Sequence, residues 1–198
     1  MVAERTARRN KALPVYPNYT EVHRILDVCD NDRDRLLIEI LWHTGGRVSE
    51  VIAIRVGDLT ESGIRMRNLK QSIPSEKHVF VHPDFLAKLR RYSAGMSPVD
   101  ILVGRLRDGR QLTRRQAYNI VTNAGIKAGV LKKRFASERL RPPWPHAYRH
   151  GNAVRLLEQS VPISAVQAQL GHANLSSTEV YVRITDPHRQ KMVAGVQF

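Results

Sequence analysis

A mainly α-helical fold with a small antiparallel β-sheet, an α+β domain, is predicted by three observations. Apolar residues recur at helical spacing through most of the chain, in runs such as TEVHRILDVCD and HAYRHGNAVRLLEQ. Two neighbouring stretches, GIRMR and HVFVH, alternate apolar and polar residues as paired strands do. Hydrophobic residues make up 42% of 198 positions, enough for one sizeable core and too many for a disordered chain.

The elements follow in order. TEVHRILDVCD places Val22, Ile25, Leu26 and Cys29 on one face after Thr20, an N-cap residue type. DRLLIEILWH is apolar around most of its circumference, which marks a central, buried helix. It stops at Gly45-Gly46, and RVSEVIAI begins the next helix. GIRMR (residues 63–67) and HVFVH (78–82) are joined by NLKQSIPSEK into a hairpin at the sheet edge. DFLAKLRRY reads as a helix and DILVG as a further short strand. In LTRRQAYNIVTNAGIKAG, Thr113 and Gln116 have capping-box spacing and Gly129 ends the helix. Residues 131–145 are a basic connection broken by prolines. HAYRHGNAVRLLEQ, ISAVQAQL and STEVYVRI are the last helices.

Charge narrows the partner. Lys plus Arg number 32 against 18 Asp plus Glu, a net charge of +14. Such a field attracts polyanions, nucleic acid first and an anionic membrane surface or a ribosome second. Cys29 is the lone cysteine, so neither an internal disulfide nor a Cys-based zinc site is available. MVAERTARRNK lacks the apolar stretch of a secretory signal, and no apolar run reaches the ~18 residues that span a bilayer. A reducing, cytosolic, nucleoid-associated location is expected.

Four clusters carry chemistry. In TGGRVSEV the glycines make a tight turn that presents Arg47, and Glu50 three residues on can orient its guanidinium. Alone, this reads first as an ordinary surface Arg–Glu pair after a glycine turn. In PWPHAYRHGNAV, His146, Arg149 and His150 stand at i, i+3 and i+4, one helix face rich in hydrogen-bond donors that suits an anion. A metal is not expected there, because HAYRH lacks the glutamate of a zinc-protease motif and Arg149 repels a cation. In LGHANLSSTEVY, Gly171 closes one helix, His172 follows in the turn, and Ser176 with Glu179 has capping-box spacing. Tyr181 then falls in the first turns of a helix, where free N–H groups favour a nearby anion. Lys70 lies on the hairpin connection, with Lys77 an alternative on the same hairpin.

Together these groups suit phosphodiester transesterification. The phosphate gains negative charge in its transition state, and preorganised Arg forks stabilise that charge. A tyrosine of pKa about 10 costs roughly 4 kcal/mol to ionise at pH 7, and surrounding cations lower that cost.

In order and spacing the motifs resemble the tyrosine recombinase (phage integrase) family. TGGR is similar to its first arginine box and HAYRH to its H-x-x-R-H box. LGH is similar to its second histidine position, and Tyr181 follows His172 by nine residues. Arg149 precedes His172 by 23 residues, and the resemblance spans residues 13–185. It implies the family's catalytic-domain fold and a site-specific recombinase that cleaves and rejoins DNA without metal or ATP. By that resemblance Arg47 and Arg149 clamp the scissile phosphate, and His146 and His172 hydrogen-bond to it. Lys70, 23 residues after Arg47, is the general acid for the 5′-hydroxyl. Tyr181 is the nucleophile and forms a 3′-phosphotyrosyl link, which retains the bond energy for rejoining. Glu50 and His150 support these groups. Gly151 departs from the family, which tends to carry Thr or Ser after this box.

The short fimbrial phase-variation recombinases are the subgroup most similar in MRNLKQ, in DGRQLTRRQAYNIVTNAGIKAG and in the HAYRH–LGH segment. On that reading residues 1–12 are a basic tail and 13–198 the catalytic domain, with no separate N-terminal core-binding domain. Residues 186–198 are a candidate tail for docking on a neighbouring protomer. Double-stranded DNA is the expected partner, with Arg8, Arg9, Lys132, Lys133 and Arg134 as contacts. A homo-tetramer on DNA and accessory DNA-bending proteins follow from the same resemblance. A non-catalytic DNA-binding module and a relaxase similar to type IB topoisomerases are the competing readings.

Overall fold

The computed structural model describes residues 15–68, 75–133 and 139–171. Its fold is mainly helical with one two-stranded antiparallel sheet. Helix α1 (Tyr19–Asp27) starts one residue earlier than Thr20. Asn18 is its cap: its side chain accepts from the Glu21 amide at 2.9 Å, and the Glu21 carboxylate accepts from the Asn18 amide at 2.8 Å. This reciprocal pair satisfies two N–H groups that a cap at Thr20 would leave open.

Helix α2 (Asp32–Thr44) is capped by Asn31 and is the centre of the core. Leu36, Leu37, Ile38, Ile40 and Leu41 are each no more than 2% exposed, as its nearly continuous apolar surface requires. It ends at Gly45, whose φ of +60° suits glycine. Helix α3 (Val48–Val51) is shorter than RVSEVIAI suggested. The chain leaves the helix because Ile54 and Val56 turn to bond the 98–102 segment: Leu102 N donates to Ile54 O, and Val56 N to Asp100 O. A single 3-10 turn, Val56–Asp58, follows. DILVG correspondingly makes no strand. Ile101 forms one isolated bridge with Arg55, while Leu102 and Val103 are buried as core side chains.

Strands β1 (Gly63–Asn68) and β2 (Ser75–Phe80) pair with Ile64 opposite Val79 and Met66 opposite Lys77. The sheet turns Ile64, Met66 and Val79 into the core and exposes Arg65, Arg67 and His78. β2 stops at Phe80, short of the expected end. His82 instead caps α4 (Pro83–Tyr92) by accepting from the Asp84 amide, with proline in the first turn. Helix α5 (Arg114–Lys127) carries the expected Thr113–Gln116 capping box. Lys132 and Arg141 then form a backbone bridge. Helices α6 (Pro145–Glu158) and α7 (Ile163–Leu170) complete the described chain, and Gly171 closes α7 at φ +66°.

Two apolar clusters hold these elements. The larger joins α1, α2, the sheet, α4 and α5, with Tyr148 reaching in from α6. The smaller lies between α6 and α7, where Ala153, Val154, Val166 and Leu170 meet. Asn152 stitches α6 to the end of α2 by donating to the Trp42 and His43 carbonyls at 2.8 and 3.1 Å. The C-terminal ends of α2 and α7 therefore meet beside the buried face of α6.

Candidate active site

The arginine box is built by the start of α3. Glu50 is the third residue of that helix, so its carboxylate folds back on Arg47. Glu50 Oε2 accepts from the Arg47 amide at 3.0 Å, and Oε1 accepts from Arg47 Nη1 at 2.7 Å. The Glu50 side chain is 1% exposed and Arg47 26%. The carboxylate is thus an interior fixture, and the guanidinium it orients keeps access to solvent.

Arg149 comes from the buried face of α6 and is 1% exposed. Its Nη1 donates to the Gly45 carbonyl and its Nη2 to the Leu170 carbonyl, both at 2.8 Å. One guanidinium thereby bridges the end of α2 to the end of α7. Both acceptors are helix-terminal carbonyls, which a planar fork satisfies together. The sequence pattern grouped Arg149 with His146 and His150 on one face. The structure separates them by depth: His146 is exposed, His150 is half-buried, and their rings meet edge to face at 4.6 Å.

A third cation, Lys77, completes the centre. Its Nζ lies 3.1 Å from Glu50 Oε2 and donates to the Leu170 carbonyl at 3.1 Å. One carboxylate thus holds Arg47 and Lys77, and the charge of Arg149 acts on Lys77 from beside them. Burial alone would raise the Glu50 pKa, but the Lys77 charge and the Arg47 hydrogen bonds hold it below the ordinary value. Burial pushes the Lys77 pKa down; Glu50 opposes that shift, while Arg149 and Arg47 add to it. Three cations and one carboxylate leave the centre with an excess of positive charge.

The expected residues therefore divide. Arg47, Glu50 and Arg149 come together, while His146 and His150 on α6 are exposed and half-buried respectively, with their rings in contact. Lys70, His172, Tyr181, Arg8, Arg9 and Arg134 lie outside the described residues. Lys132 spends its ammonium on Glu21 at 2.6 Å, and Lys133 is exposed. Lys77, the alternative to Lys70 on the same hairpin, is buried against Glu50, which the motif spacing does not show. The signal was strand parity: Lys77 stands two residues before Val79, so it shares the inward face. Gly151 also has its reason here. A Cβ at that position would lie 2.6 Å from Trp42 Cζ3 and 3.2 Å from the Pro17 carbonyl oxygen.

Comparison with known proteins agrees with the motifs. Tyrosine recombinase XerA of Pyrococcus furiosus is 29% identical over 190 residues, which cover 92% of this chain and 62% of that protein. The chain spans about three-fifths of the length of the curated relatives it matches. The crystal structure of XerA recombinase superposes with a TM-score of 0.73 at 22% identity, over 94% of this chain and 67% of that one. XerH site-specific recombinase, solved bound to palindromic difH substrate as a post-cleavage complex, gives a TM-score of 0.67 at 22% identity. That match covers 92% of this chain and 53% of XerH. These structures share the fold. Residues 18–188, which contain every box from TGGR to Tyr181, match the phage integrase family, and the chain belongs to it.

Proposed function

We propose that this domain catalyses site-specific DNA strand transfer, cleaving and rejoining DNA through a 3′-phosphotyrosyl intermediate on Tyr181 without metal or ATP. The observation that carries the reading is that buried Glu50 holds a partly exposed Arg47 and Lys77, while Arg149 is held beside them by the Gly45 and Leu170 carbonyls. In this reading Arg47 and Arg149 stabilise the phosphorane charge, and His146 and His172 hydrogen-bond the same oxygens. Lys70 protonates the departing 5′-oxygen. Tyr181 attacks as phenolate, its ionisation favoured by the same cations. The XerH complex supports duplex DNA as the partner, and the net charge of +14 supports salt-sensitive binding to it. A tetramer on DNA, assembled with accessory DNA-bending proteins, belongs to the same proposal.

The test incubates wild type and Tyr181→Phe with nicked suicide substrates made from the DNA that flanks the protein's own gene. Wild type is expected to leave a slow, protease-sensitive band on a denaturing gel, while Tyr181→Phe binds DNA and leaves none. An adduct that survives in Tyr181→Phe overturns the assignment. DNA binding with no adduct from wild type favours a module that acts by occupancy. Relaxation of supercoiled DNA by a protein that stays monomeric favours the topoisomerase-like reading.

A further inference from the structure

Lys77 joins three segments that are distant in the chain. Its backbone belongs to β2, its ammonium meets Glu50 of the arginine box, and the same ammonium donates to Leu170 at the end of α7. Its stem is packed as well: a Cβ on Gly171 would lie 3.2 Å from Lys77 Cδ. A second tie runs alongside. The Gln169 side chain accepts from the Phe80 amide at 3.2 Å and donates to the Phe80 carbonyl at 2.7 Å, pairing with the edge of β2 like a short strand. Hairpin, arginine box and α7 are thereby locked in one arrangement.

Resting on the strand-transfer reading, we propose that Lys77 is a positioning residue: by bridging Glu50 to the Leu170 carbonyl it sets Arg47 and Arg149 in register on the phosphate. The logic is one of shared partners. Glu50 orients Arg47, Leu170 O accepts from Arg149, and Lys77 contacts both. Its ammonium is committed to two acceptors inside the protein, 13% exposed, which suits holding more than shuttling a proton to a leaving group. Each acceptor also keeps another donor when Lys77 is lost: Glu50 retains Arg47, and Leu170 O retains Arg149. A Lys77→Met protein, equal in stem length, is therefore expected to fold with its clamp loosened.

The experiment measures single-turnover cleavage of the suicide substrate by wild type, Lys77→Met and Lys77→Arg. DNA affinity is measured in parallel. Lys77→Met is expected to cleave on the order of 10²-fold more slowly, the size of effect that small misplacements of reacting groups produce. Affinity is expected to change by less than about threefold, since ground-state binding is not what the bridge supplies. Lys77→Arg, which keeps the charge, recovers part of the rate. A substrate with sulfur at the bridging 5′ position separates positioning from acid catalysis, because a thiolate leaves without a proton. Lys77→Met is expected to stay slow on it. Full recovery on the sulfur substrate makes Lys77 a proton donor and overturns the proposal, as does an unchanged rate on the ordinary substrate. A wild type that forms no adduct at all overturns the strand-transfer reading, and any role of Lys77 in that reaction falls with it.

Discussion

Arg149 and Lys77 donate to the same acceptor, the Leu170 carbonyl oxygen, at 2.8 and 3.1 Å. Two cations converging on one helix-terminal carbonyl is a costly arrangement unless each has another anchor. Each does: Arg149 reaches Gly45, and Lys77 reaches Glu50. The C-terminal end of α7 is thus the point where the two arginine boxes are coupled.

Arg149 is the stiffer half of that coupling, and substituting it separates structure from chemistry. Arg149→Met leaves the Gly45 carbonyl without its guanidinium donor, while Leu170 keeps Lys77. The expected cost is about 1–3 kcal/mol, read as a fall in Tm of roughly 3–10 °C in a thermal melt. Adduct formation is expected to fall by at least about 10²-fold, the effect of removing one transition-state donor. Arg149→Lys, a point charge without a fork, is expected to lose nearly as much activity. Near-normal cleavage by Arg149→Lys would show that the bidentate bridge does not matter.

Glu50 holds the opposite charge of the centre. Glu50→Gln keeps the shape and strands Arg47 and Lys77 without their carboxylate, an expected loss of roughly 3 kcal/mol. The pH dependence has a definite sign. The folded pKa of Glu50 lies below its ordinary 4.5, so its contribution is fully present above that value and is lost as pH falls through the folded pKa. Urea unfolding of wild type and Glu50→Gln is therefore expected to show a wide gap at pH 7 that narrows as the pH falls below 4.5. A gap that widens on acidification contradicts the assignment.

Local sequence grammar made much of this visible. Thr113-x-x-Gln116 is a capping box in sequence and in space, and Gly45 and Gly171 close helices where the apolar period ends. The three-residue step from Arg47 to Glu50 already contained their ion pair. What stayed hidden depends on neighbours distant in the chain. Asn18 and Thr20 are both good caps, and the reciprocal bond with Glu21 chose between them. DILVG has strand residues but bonds only Ile54 and Val56 about a single bridge at Arg55, so among the described residues it makes no ladder. Arg149 bonds two backbone carbonyls 104 and 21 residues away, and carbonyls carry no residue-type signal.

Gly151 tests whether the departure from the family box is structural. The Trp42 ring fills the space a side chain would need, and the Arg155 guanidinium sits 5.4 Å from its centroid on the same residue. Gly151→Thr is expected to cost about 1–3 kcal/mol through overpacking. Combining it with Trp42→Leu, which opens that space, is expected to cost less than the sum of the two single changes in equilibrium unfolding. Strict additivity would mean that Trp42 is not what excludes a side chain at 151.

His43 gives the domain a second acid-sensitive element. It is the second-last residue of α2, stacked on Phe85 at 4.1 Å, and its carbonyl accepts from Asn152. Burial, then the charges of Arg155, Lys88, His82 and His23, lower its pKa from 6.5 to about 4. The unfolded chain therefore binds a proton that the folded one rejects. His43 takes nothing from stability above about pH 6.5, and its penalty grows as pH falls toward 4. At 1.36 kcal/mol per unit, that window is worth on the order of 2–3 kcal/mol. His43→Phe keeps the ring stack and removes the titration. Its unfolding free energy is expected to decline less than that of wild type between pH 7 and about pH 4.5, leaving the variant relatively more stable in acid. Equal declines would mean that His43 is free to protonate in the folded state. Because Gly45 follows two residues later and holds Arg149, the same window is where acid is expected to loosen the Arg149–Gly45 bond.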